Sequence, residues 1–163
     1  MTTASDPEGR QTVLSHFEHI GVRLFPVGRL DFDSEGLLIL TNDGDMMNRL
    51  LHPSHEVTKV YLAKASNRVE EEDLRRLRAG VVIDGKITSP AKVRLIRYET
   101  FDTVLLISIH EGRNRQVRKM LEAVGHQVVS LKRVEFGPIS LGDLPRGQWR
   151  KLTETEISRL KAL

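Results

Sequence analysis

The 163-residue sequence predicts an α+β fold built on a mostly antiparallel mixed sheet flanked by helices and loops. Three observations carry that expectation. Strand-length stretches that are apolar or alternating recur along the whole chain, with short helical patterns between them. VVIDGKI, residues 81–87, sets Asp84-Gly85 between apolar pairs, the strongest short-range hairpin signal in the chain. Helices and strands do not alternate regularly, which argues against a doubly wound parallel sheet.

Each element follows from local pattern. QTVLSHFEHI (11–20) spaces Val13, Leu14, Phe17 and Ile20 as one helical face. Pro26 and Gly28 then break the chain, and the continuous apolar run GLLILT (36–41) reads as one buried strand. GDMMNRLLHP is a helix with Met46, Met47, Leu50 and Leu51 inward and Pro53 at its end. EVTKVYLAKA alternates, with Val57, Lys59, Tyr61 and Ala63 on one face and Val60 and Leu62 on the other. VEEEDLRRLRAG has acids in its first turn and arginines in its last, which complements the helix dipole, and Gly80 suits the C′ position. AKVRLIRYE and TVLLISIH are strands. NRQVRKMLEAVGH is a helix burying Val117, Met120, Leu121 and Val124 and stopped by Gly125, and QVVSLKRVEF returns as a strand. Thr153 and Glu156 have capping-box spacing for a last helix. One domain over residues 1–163 is expected, with room for two lobes.

Composition narrows the function classes. With 39% apolar and 29% charged residues, the chain is of ordinary globular type. No apolar run approaches the ~18–20 residues of a membrane span, and MTTASDPEGR lacks the apolar segment of a secretory signal. The absence of cysteine excludes disulfides and thiolate metal sites; a cytoplasmic home is compatible with that. The net charge of +3 is unevenly spread: residues 1–81 carry −3, residues 82–163 carry +6, and the densest cluster is GRNRQVRK (112–119). A polyanionic partner and a merely solvated basic helix face both fit such a cluster.

GRLDFDSEGLLILTNDGD (28–45) concentrates Asp31, Asp33, Glu35, Asp43 and Asp45. From Asp31 the pattern has the glycine of a calcium loop at position 6, but position 12 is Asn42 and positions 7–10 are Leu-Leu-Ile-Leu, a strand. The six histidines include no HExxH, and phosphate-loop, dinucleotide and GxSxG signatures are all missing. There remains an acid beside an arginine at the mouth of a buried strand: Arg29 and Asp31, two apart and on one side of an extended chain. Spacing alone fits a structural salt-bridged Asp as well as a catalytic one. Asp33 and Glu35 read as solvated loop acids.

Several segments together, in order, resemble the RsuA/RluB-type family of ribosomal RNA pseudouridine synthases. They are PVGRLDFDSEGLLILTNDGD, RLLHPSHEVTKVYLAK, SPAKV, EGRNRQVRKMLEAVGH and LKRVEFGPISLGDLPRGQWRKLT, and the resemblance runs from about residue 6 to 157. The branch acting on large-subunit RNA is the nearest. The family's small N-terminal RNA-binding module and its Asn-Lys-Pro strand are not found in this sequence, so the reading is of a catalytic domain. The resemblance implies a pseudouridine synthase fold with a catalytic cleft across the sheet. It also implies a reaction that needs neither cofactor nor metal: uridine is detached at N1, turned, and rejoined through C5. Asp31 would be the catalytic carboxylate, with Arg118 as its ion-pair partner. Tyr61 would be the pocket tyrosine, although a core aromatic fits the same position. Arg29 would fill the space of the flipped nucleotide, and Leu131 would line the base pocket or sit in the core. Arg113, Arg115, Lys119, Lys132 and Arg133 would track the RNA backbone. The expected partner is ribosomal RNA or a pre-ribosomal particle, without a membrane, and the chain is expected to be a monomer. The alternative is a non-catalytic RNA-binding or ribosome assembly factor.

Overall fold

The computed structural model describes Phe17 and residues 21–163. The helix expected over 11–20 lies outside the described residues, Phe17 apart. β1 (Phe25–Val27) pairs antiparallel with β3 (Ile39–Thr41) as a separate two-stranded sheet. The main sheet has the order β10-β9-β4-β8-β7. Its members are β4 (Lys59–Ser66), β7 (Lys92–Tyr98), β8 (Asp102–Ile109), β9 (Val128–Phe136) and β10 (Ile139–Ser140). Every pairing along this path is antiparallel, and β2 (Glu35–Gly36) joins β9 in parallel. The mostly antiparallel mixed sheet of an α+β fold is therefore present.

The expected hairpin is β5 (Val82–Ile83) against β6 (Lys86–Ile87), and its turn residues Asp84 and Gly85 both have positive φ, 50° and 78°. That is the backbone a two-residue turn needs to match strand twist. α1 (Gly44–Leu51) is capped by Asp43, whose carboxylate accepts from the Met46 N–H at 3.0 Å. α2 (Glu71–Ala79) ends at Gly80, which is the cap residue itself, one position earlier than C′, with φ 120°. α3 (Gln116–Ala123) is followed by Gly125 at φ 91°. α4 (Glu154–Lys161) carries the Thr153/Glu156 capping box in both directions, at 3.1 and 2.8 Å.

Two apolar clusters hold these elements. In the first, Leu74 and Leu77 of α2 and Val117, Met120 and Leu121 of α3 pack on one face of the sheet against Ala63, Ala65, Leu105, Ile107 and Leu131. The second joins Val27, Leu37, Ile39, Leu50, Val57, Phe136, Ile139 and Leu160.

Two local expectations are corrected. GLLILT is not one strand: Glu35–Gly36 pairs with β9 and Ile39–Thr41 with β1, so the run crosses between two sheets. Its continuous apolarity comes from contributing Leu37 and Ile39 to the second cluster during that crossing. Leu51 points outward, 44% exposed, because Met46, Met47 and Leu50 already supply the inner face of α1.

Candidate active site

The GRLD segment forms a turn between β1 and β2. Gly28 turns the chain with φ 81°, and the Ser34 N–H closes a turn on the Asp31 carbonyl at 3.0 Å. Behind it, Gly36 has φ 115°, and a Cβ there would run into the Arg133 backbone, so glycine alone lets β2 lie against β9. The turn is fixed to the sheet by its own backbone.

Arg115, at the N-cap of α3, and Arg118, within α3, meet this turn, but not as the sequence suggested. Arg115 makes a two-pronged bond to Asp33, at 2.9 and 2.8 Å, and lies only within 3.8 Å of Asp31. Arg118 is buried; its Nε is 3.4 Å from the Asp33 carboxylate and its Nη2 donates to the Asp33 carbonyl and to Ser34 Oγ. The ion-pair partner of Arg118 is thus Asp33 rather than Asp31, and Asp33 is an exposed loop acid that is also ion-paired. The hydrogen bonds from Arg115, with the nearby charge of Arg118, hold the Asp33 carboxyl below its ordinary range against the opposing effect of burial. Arg115 is pushed further up in turn. Asp31 keeps a half-exposed carboxylate with no other ion pair among the described residues.

The loop that presents Arg115 is clamped from behind. Glu111 accepts from the Ser89 N–H at 2.6 Å and from the Gln116 amide at 2.7 Å. Burial pushes this carboxyl up, but those bonds and nearby Arg113 outweigh it and leave it lowered. Arg113 donates to the carbonyls of Ile83, Lys86 and Ile87, so it ties the loop to the β5–β6 hairpin and does not present a free guanidinium. Arg115 itself sits at φ 51°, a left-handed conformation that the clamp over-determines.

The remaining expected residues are scattered by comparison. Tyr61 on β4 is half-buried against the first cluster, beside Ile107 and Arg133 in register, and its hydroxyl has no hydrogen-bond partner among the described residues. Leu131 is buried within the same cluster. Arg29 is exposed and makes no ion pair among the described residues. Lys119 pairs with Asp84 at 2.6 Å, and Lys132 is half-buried on β9. Arg133 is corrected: it is 4% exposed, donates from Nε to the Leu37 carbonyl at 2.9 Å and lies over the Phe136 ring, so it braces β2 and the crossing from inside. A crevice of about 1320 Å³ borders the turn through Leu30 and Glu35 and includes Lys132 and Trp149, but its walls include neither Asp31 nor Tyr61. Among the described residues no group of three or more histidines or carboxylates could hold a metal ion, and no helix is long and apolar enough to cross a membrane.

Residues 3–123 match the profile of the family described as RNA pseudouridylate synthase. A curated relative from Aquifex aeolicus, an uncharacterized RNA pseudouridine synthase, is 46% identical over 154 residues, 94% of this chain and 62% of its own length. The ribosomal large subunit pseudouridine synthase B of Bacillus subtilis is 44% identical over all of this chain and 68% of its own length. The chain thus spans roughly two thirds or less of these relatives. A crystal structure of a pseudouridylate synthase superposes with a TM-score of 0.80 at 35% identity, covering 88% of this chain and 62% of that one. The archaeal box H/ACA sRNP Nop10-Cbf5 complex matches at 16% identity and a TM-score of 0.60, a likeness of fold alone. With the family profile covering most of its length and the GRLD turn seated against Arg115 and Arg118, the chain belongs to the RNA pseudouridylate synthase family.

Proposed function

We propose that this chain isomerises a uridine of ribosomal RNA, of the large subunit, to pseudouridine, with Asp31 as the reacting carboxylate. The observation that carries the reading is the placement of that acid. It stands on a turn held by β2 and faced by Arg115 at the N-cap of α3 and Arg118 within it, while its own carboxylate is not consumed by a close ion pair. The name of the Bacillus subtilis relative supports the choice of large-subunit RNA.

The chemistry needs an ionised carboxylate near the sugar and a place for the detached base. The N1–C1′ bond breaks, the uracil turns, C5 bonds to C1′, the C5 proton leaves and N1 gains a proton, with no net change in composition. Arg115 places a guanidinium 3.8 Å from the Asp31 carboxylate, beside the reacting group. Tyr61 supports the base or assists removal of the C5 proton, and Arg29, exposed beside the acid, enters the space of the flipped nucleotide. The partner is ribosomal RNA or a pre-ribosomal particle, met by a chain acting as one catalytic domain and as a monomer.

Tritium release from ribosomal RNA carrying 5-³H-uridine tests the reading. Wild type is expected to release tritium and Asp31→Asn to release none while keeping its circular dichroism spectrum. Full release by the variant would reject Asp31 as the reacting group.

A further inference from the structure

Phe32, between the two acids, is 91% exposed, the most open of the large apolar side chains among the described residues. Nothing in the core calls for it, and leaving a phenyl ring in water forgoes the gain of burying it. The Arg115 guanidinium lies 5.9 Å from the centre of its ring. The same guanidinium grips Asp33 with two parallel bonds, and both partners of that bond are about one-third exposed. A guanidinium fork of this kind donates to carboxylate and phosphate oxygens in the same geometry. Asp31 is 3.8 Å from it.

We propose that Phe32 and Arg115 form a subsite for an unpaired nucleotide next to the target uridine. Phe32 stacks on its base, Arg115 takes its phosphate, and the Asp33 carboxylate holds the phosphate's place until RNA arrives. The proposal rests on the RNA reading above and deepens it. An aromatic face and a guanidinium side by side are what an unpaired nucleotide offers partners for: a π-face and a charge. Phe32 is open to solvent and Arg115 is one-third exposed, so a strand can reach both. Because the chain has already arranged an anion on Arg115, the exchange leaves no charge unpaired on the arginine.

The test measures KM for tritium release and the Kd of the same large-subunit ribosomal RNA transcript, using the full chain. Phe32→Ala is expected to raise KM and Kd about tenfold, whereas Phe32→Trp keeps the affinity and its fluorescence is quenched by stacking on the transcript. Asp33→Asn, which removes the competing anion, is expected to tighten binding several-fold, and that gain is expected to vanish when Arg115→Gln is added. A merely structural role for these residues would not make one substitution bind more tightly. Active wild type with unchanged KM in Phe32→Ala would overturn the subsite alone, as would weaker binding by Asp33→Asn. A wild type that neither binds the transcript nor releases tritium would overturn the RNA reading and the subsite with it.

Discussion

Asp31 and Asp33 are two residues apart on one turn, yet they have different partners and therefore different consequences. Asp33 is held by both Arg115 and Arg118, and its lowered pKa ties stability to pH. The sign follows from the direction: the contribution is full above the ordinary value of 3.8 and is lost as pH falls through the lower folded value. Wild type is therefore expected to be more stable than Asp33→Asn at pH 7, with the gap closing on acidification, as followed by urea unfolding at a series of pH values. Arg133 makes a second case. Its buried Nε–Leu37 bond predicts that Arg133→Ala loses about 1–3 kcal/mol of stability. The salt dependence of RNA binding is expected to stay unchanged in that variant; a shallower dependence would return Arg133 to the RNA surface. The position of Asp31 just ahead of the GLLILT run was legible in the sequence. The pairing of Asp33 with Arg115 was not, because the two are 82 residues apart and only the folded turn brings them together.

Elements were legible where local chemistry decides them. Asp84-Gly85 specifies its turn through positive φ, and Thr153 with Glu156 specifies the start of α4 through reciprocal bonds. GLLILT was misread because apolarity reports burial, not which strand is the neighbour. What decides its division is Gly36, the position at which β2 can approach β9. Gly36→Ala is expected to cost more than about 1 kcal/mol, since its φ of 115° is unsuited to alanine and its Cβ would meet the Arg133 backbone. It is also expected to lower tritium release beyond what the stability loss explains, because the Asp31 turn hangs from that pairing. Stability measured by thermal unfolding beside activity at a temperature where both proteins are folded separates the two effects.

At the scale of the molecule, the fold class was legible from the irregular order of short helices and strands. The sheet order β10-β9-β4-β8-β7 was not, since long-range register leaves no mark in local sequence. The described residues bury two apolar clusters, and β9 supplies Leu131 to one and Phe136 to the other. We therefore expect the two to unfold together, as a single transition seen alike by near- and far-ultraviolet circular dichroism; two separate transitions would contradict it. The central claim is that this turn performs the isomerisation. Its most direct measurement is nucleoside chromatography of digested large-subunit ribosomal RNA after incubation with wild type or Asp31→Asn. A pseudouridine peak, with an equal loss of uridine, is expected for wild type and neither for the variant. Equal pseudouridine from both proteins, or none from a folded, RNA-binding wild type, would contradict it.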